Sequence, residues 1–173
     1  DTVAIQAAIN ANTGGEVYLP PGTYKVSSLL MVGNTRLNGA GMYCATLKTT
    51  SPDADVITVI GAGNHVSNLG FDSFVARTGG SYVNFSGGSS GGRIYDFLME
   101  RAYTGISVSG PVAHYIQHGQ LRNFTNCGVL VGGGQDHYLQ YLTMNNEPNF
   151  HPGAGIWVQS TGNTNISDCD IIN

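Results

Sequence analysis

From Val56 onward the chain repeats one apolar pattern five times. Each copy opens with two apolar residues at alternate positions: Ile57 and Val59, Val83 and Phe85, Ile106 and Val108, Val129 and Val131, Ile156 and Val158. A Gly-rich or polar gap follows. A second apolar set then appears at offsets 0, +3 and +5: Val66, Leu69, Phe71; Ile94, Phe97, Met99; Ile116, Gly119, Leu121; Leu139, Leu142, Met144; Ile166, Cys169, Ile171. Spacing between copies varies while spacing within a set does not, which is how a solenoid tolerates insertions: loops lengthen freely, but a side chain cannot leave the shared core.

The residue types select strands. Gly105-Ile106-Ser107-Val108-Ser109 alternates with period two, β-branched residues inside and small polar ones outside, and helical repeats would need Ala/Leu/Glu/Lys-rich segments that are missing here. The expected fold is an all-β parallel β-helix. Only 10% of residues are charged and 25 are Gly, both in keeping with many short strands and tight turns. The 173 residues read as one domain: a capping segment at 1–15, irregular first coils at 16–55 and five regular coils at 56–173. Residues 2 to about 11 predict a short amphipathic helix with Ile5, Ala8 and Ile9 on one face and Asp1 or Thr2 as its cap, placed as a lid on the first coil.

The run from Asp1 to Asn10, followed by Gly14-Gly15-Glu16-Val17-Tyr18-Leu19-Pro20-Pro21-Gly22-Thr23-Tyr24, closely resembles the opening of the pectate-lyase-like superfamily of right-handed β-helix proteins. That group includes bacteriophage tailspikes, capsule depolymerases and secreted polysaccharide lyases and hydrolases. The resemblance implies a right-handed coil, a homotrimer as in the phage members, a polysaccharide substrate, and an extracellular or virion location. It transfers no catalytic residue. The paired-Asp and Gly-His-Gly motifs of the pectin hydrolases are missing, His118-Gly119-Gln120 matching only in part, and no Asp/Arg/Lys calcium site is recognisable. No cofactor is expected, with calcium a requirement only if the chemistry is that of a lyase.

The net charge of −4 argues against nucleic acid as a partner, and no apolar stretch reaches the roughly 20 residues of a membrane-inserting helix. Cys44, Cys127 and Cys169 have no metal-ligand spacing and read as reduced, structural thiols. An initial Asp1 and a final Asn173 inside a coil predict that both ends are cuts from a longer chain.

Aligning the copies by their offsets gives candidate site columns. At +2 stand Asn68, Asp96, His118, Tyr141 and Asp168; at +6, Asp72, Glu100, Arg122, Asn145 and Ile172. Glycoside cleavage commonly uses two carboxyl groups, so Asp72, Asp96 and Glu100 are the candidate catalytic acids. Repulsion between neighbouring Asp72 and Glu100 would raise one pKa, with Arg122 holding the other ionised, while His118 carries protons and Tyr141 contacts sugar. Glu100 beside Arg122 also fits a plain surface ion pair. At −2, His114 and His137 beside Asp136 fit either a solvated turn or a ligand contact. Tyr115 over Tyr138 fits plain stacking or a sugar platform. On the opening strands Leu130 and Trp157 should form an exposed apolar patch that meets a neighbouring chain or a sugar.

Two function classes follow. One is an enzyme, a polysaccharide hydrolase or lyase of the tailspike depolymerase kind acting on bacterial surface glycan. The other is a non-catalytic carbohydrate-binding or structural module of a tail or surface protein.

Overall fold

A computed structural model describes residues 1–147, 153–159 and 162–172. Two parallel sheets wind around one core. The opening sheet stacks six strands, Leu29–Val32, Ile57–Ala62, Ser81–Ser90, Thr104–Val108, Cys127–Val131 and Ala154–Val158. The second sheet stacks Glu16–Leu19, Arg36–Gly39, His65–Ser73, Arg93–Glu100, Tyr115–Arg122, His137–Asn145 and Thr164–Ser167.

The registers are those that the offsets require. Val66 pairs with Ile94, Leu69 with Phe97 and Phe71 with Met99; Ile116 pairs with Leu139, and Leu121 with Met144. Ser107 pairs with Asn84 on one side and Leu130 on the other. Inward residues of both sheets are fully buried through the central coils, so each apolar column becomes a continuous stack along the rod.

The spacing 0, +3, +5 has a backbone cause. Asn68, Asp96, His118, Tyr141 and Asp168, all at +2, have φ between 52° and 55°. One left-handed residue in an otherwise extended strand breaks the alternation, so the next inward side chain comes at +3. Every strand from His65–Ser73 to His137–Asn145 therefore bends at the same point, and we call this the bent sheet. Toward either end of the stack the same strand is split into two halves, Arg36–Gly39 with Ala45–Thr49 and Thr164–Ser167 with Asp170–Ile172.

The predicted helix spans Thr2–Ala11 and buries Ile5 and Ile9 against the first coil. Asp1 occupies the N-cap position but does not cap. Its Oδ2 instead accepts from the Lys25 N–H at 2.8 Å, Thr2 Oγ1 accepts from Ser27 N–H at 2.9 Å, and Gln6 both donates to Leu30 O and accepts from Leu30 N–H. The helix thus supplies side-chain groups to the strand backbone of the first coil. The three cysteines are free thiols, Cys127 buried, Cys169 partly exposed and Cys44 exposed. No helix among the described residues is long and apolar enough to cross a membrane.

Candidate functional site

The bend divides the outer face of the bent sheet, and the candidate acids lie at it and beyond it. Asp96, His118 and Tyr141 occupy successive bends and are exposed. The His118 and Tyr141 rings stack at 4.8 Å and 14°. Asn and Asp tolerate left-handed backbone; for Tyr the conformation costs about 1–2 kcal/mol, and such costs collect at functional positions. Asp96 adjoins His118 in this column, because Tyr95 pairs with Gln117 and Phe97 with Gly119.

Further along the same strands Glu100 pairs with Arg122, whose Nη1 lies 3.5 Å from Glu100 Oε1. Arg122 Nη2 also donates to Gln120 Oε1 at 2.6 Å, and the Tyr43 hydroxyl donates to the same oxygen at 3.2 Å. Tyr43 is 62% exposed, so its ring forms a free wall beside the Glu100–Arg122 pair. From within, the buried Tyr82 hydroxyl donates to Glu100 O at 2.6 Å and fixes the backbone there. Burial raises the Tyr82 pKa, so it stays a donor. Along this edge opens a hollow of about 230 Å³ lined by Arg122, Asn123, Asn145 and Glu147, and another of about 320 Å³ is walled by Phe74, Val75, Arg77, Arg101 and Thr125.

Asp72 is arranged differently from the expected carboxylate pair. Arg101 grips both of its oxygens at 2.6 Å, and Lys48 Nζ lies 3.0 Å away. Burial alone would raise its pKa, but hydrogen bonds from Arg101, Lys48 and the Ser73 N–H outweigh that and hold the carboxyl below its usual value. It therefore stays ionised and is engaged with two cations instead of sharing a proton with Glu100.

His114 and His137 also depart from expectation. Both are fully buried at the inner corner between the sheets. His137 Nε2 donates to Gly133 O at 2.8 Å, its Nδ1 faces the backbone N–H and Nδ1 of His114 at 3.3 Å, and His114 Nε2 meets Ser89 Oγ at 2.9 Å. Asn64 serves the same column, accepting from Thr35 N–H and donating to Ile60 O. The −2 positions are polar because the chain turns there and its backbone groups need partners. Trp157 is 46% exposed and pairs in register with Leu130 on the opening sheet as expected, but Leu130 is only partly exposed, and the pair lies apart from the acids.

The offsets could not reveal Tyr43, which reaches the site from an irregular coil. Nothing in the sequence marks Gln120 as the bridge to Arg122. Among the described residues no group of three or more His, Cys, Asp or Glu side chains is placed to share a metal ion.

The chain is thus a parallel coil with acids, a guanidinium and stacked rings along one outer edge. The chain belongs to the family described as rhamnogalacturonase A/epimerase, pectate lyase-like, whose model matches residues 1–173. The mannuronan C5-epimerase AlgE6 of Azotobacter vinelandii is 43% identical over 84 residues, covering 40% of this chain and 10% of that protein. ORF18 of Geobacillus virus E2 superposes with a TM-score of 0.75 at 22% identity over 97% of this chain and 38% of that one. The tailspike gp49 of Acinetobacter baumannii bacteriophage Fri1, a capsular polysaccharide depolymerase, gives 0.69 at 12% identity over 99% of this chain and 39% of that one. The chain thus spans a tenth of the curated relative and less than two fifths of these structures.

Proposed function

We propose that this solenoid is part of a polysaccharide-cleaving protein, hydrolase or lyase, of the tailspike depolymerase type, working on bacterial surface glycan outside the cell or on a virion. The observation that carries the reading is the edge on which Glu100, held by Arg122, faces solvent beside Tyr43, with Asp96, His118 and Tyr141 at the bends of the same strands. Glu100, with Arg122 against it, presents a carboxyl group suited to act as base or nucleophile. Asp96 beside His118 supplies the second carboxyl, and Tyr43 and Tyr141 offer ring faces to sugars. Asp72 then organises the edge by anchoring Arg101 and Lys48. Calcium enters only if the chemistry is that of a lyase.

In the intact protein, incubated with capsular and plant polysaccharides, new reducing ends indicate hydrolysis, while reducing ends accompanied by ultraviolet absorbance from unsaturated products indicate lyase action. Glu100→Gln and Asp96→Asn should each lower turnover by about 100-fold or more with glycan binding intact. Near-normal turnover in both would remove this edge as the active site. The engagement of Asp72 with two cations favours the alternative, a binding or structural module, which predicts glycan retention with no product from any substrate.

We also propose that the Leu130–Trp157 patch meets a neighbouring copy in a trimer. Light scattering of the intact protein should give a trimer that Trp157→Ala weakens; a monomer in both would dismiss the interface.

A further inference from the structure

On the other side of the bend, each strand of the bent sheet presents one outward side chain just before its first buried residue. The registers align Arg36, His65, Arg93, Tyr115 and Tyr138 in one column. The Arg93 guanidinium carbon lies 4.9 Å from the Tyr115 ring centre, and the Tyr115 and Tyr138 rings stack at 5.0 Å and 5°. Two cations and a flat aromatic pair thus follow one another along the rod.

None of the three ion pairs among the described residues involves Arg36 or Arg93. Glu16, next to Arg36 in register, accepts instead from Asn38 Nδ2 at 3.3 Å. The adjacent outward column is neutral where it is hydrogen-bonded: Gln117 donates to Gln140 at 2.7 Å, and Gln140 to Ser167 at 3.2 Å. Burial first, then Arg93 and Arg36, lower the His65 pKa, which shows the two guanidiniums acting on the group between them. In a chain with net charge −4, this row is a local excess of positive charge.

We infer that this column is a binding track for an acidic polysaccharide lying along the rod, its carboxylates on Arg36 and Arg93 and a sugar ring on the Tyr115–Tyr138 pair. Guanidinium matches carboxylate with two parallel hydrogen bonds, and a flat Tyr pair accepts the apolar face of a pyranose. Coils advance by about 4.8 Å, so Arg36 and Arg93, two coils apart, recur at about 10 Å and suit a repeating charged chain. The inference rests on the proposed polysaccharide activity only for the kind of ligand.

The test is affinity electrophoresis of the intact protein through oligogalacturonate and oligomannuronate, each compared with its carboxyl-reduced form. The acidic forms should retard the protein and the reduced forms should not. Arg36→Gln with Arg93→Gln should weaken retardation about tenfold or more, with the two Lys replacements recovering much of it and Lys25→Gln, a control for charge, without effect. Undiminished binding by the double Gln variant overturns the track, as does equal retardation by the reduced polymers or by single-stranded DNA. Cleavage of neutral glycans without any preference for acidic ones would sink the track and leave the proposed activity standing. Glycan binding at this column without cleavage of any substrate would do the reverse.

Discussion

Phe97→Ala should cost about 3–5 kcal/mol, measured as a fall in the urea unfolding midpoint at neutral pH. Phe97 is fully buried in the +3 column, and its register partner on the next coil is Gly119. A Cβ built on Gly119 would fall inside the Phe97 ring, so the ring occupies the volume that a side chain on the next coil would otherwise fill. Truncation therefore empties two positions at once, and rigid coils on either side limit collapse into the space. Gly119→Ala alone should also destabilise, by about 1–3 kcal/mol, because the new methyl meets the ring. Combined, the two changes should cost less than their sum, since the methyl then enters vacated space. A loss below about 1 kcal/mol for Phe97→Ala would show that the ring does not fill this column.

Acid should unfold the protein through His114. Burial, then the neighbouring His137, push its pKa down to about 4, against about 6.5 in the unfolded chain. Below pH 6.5 the unfolded chain takes up a proton that the folded chain refuses, so stability falls with pH until about pH 4, by about 3 kcal/mol in total. The depressed Asp72 pKa acts in the same direction but lower, as pH falls below the ordinary carboxyl range, so the two windows separate. Unfolding midpoints from pH 7.5 to 4.5 should show the slope, and His114→Phe should be less stable at pH 7.5 yet lose much of it. An equal slope in that variant would place the titration elsewhere.

The coil and its registers were legible because burial imposes strict periodicity on apolar residues, and Val66, Ile94, Ile116 and Leu139 kept it. The bend was legible in principle, since Asn68, Asp96 and Asp168 are the residue types that tolerate left-handed backbone; His118 and Tyr141 hide it. The inward turn of His114 and His137 was not. Polar side chains suggest solvent, and only the structure shows which backbone groups at the corner need partners. Nor was the grip of Arg101 on Asp72, because Arg101 follows the strand and belongs to no column.

The bonds from Asp1, Thr2 and Gln6 to the first coil also govern how copies of the rod can associate. Parallel strands offer their unpaired edges only at the two ends of the stack, and a fibre grows when the end of one molecule templates the start of the next. Beside the helix, the N–H groups of Lys25, Ser27 and Leu30 are already taken by the chain's own side chains. Templating on these three groups by a second strand, the head-to-tail geometry that never closes, is therefore blocked where the helix lies.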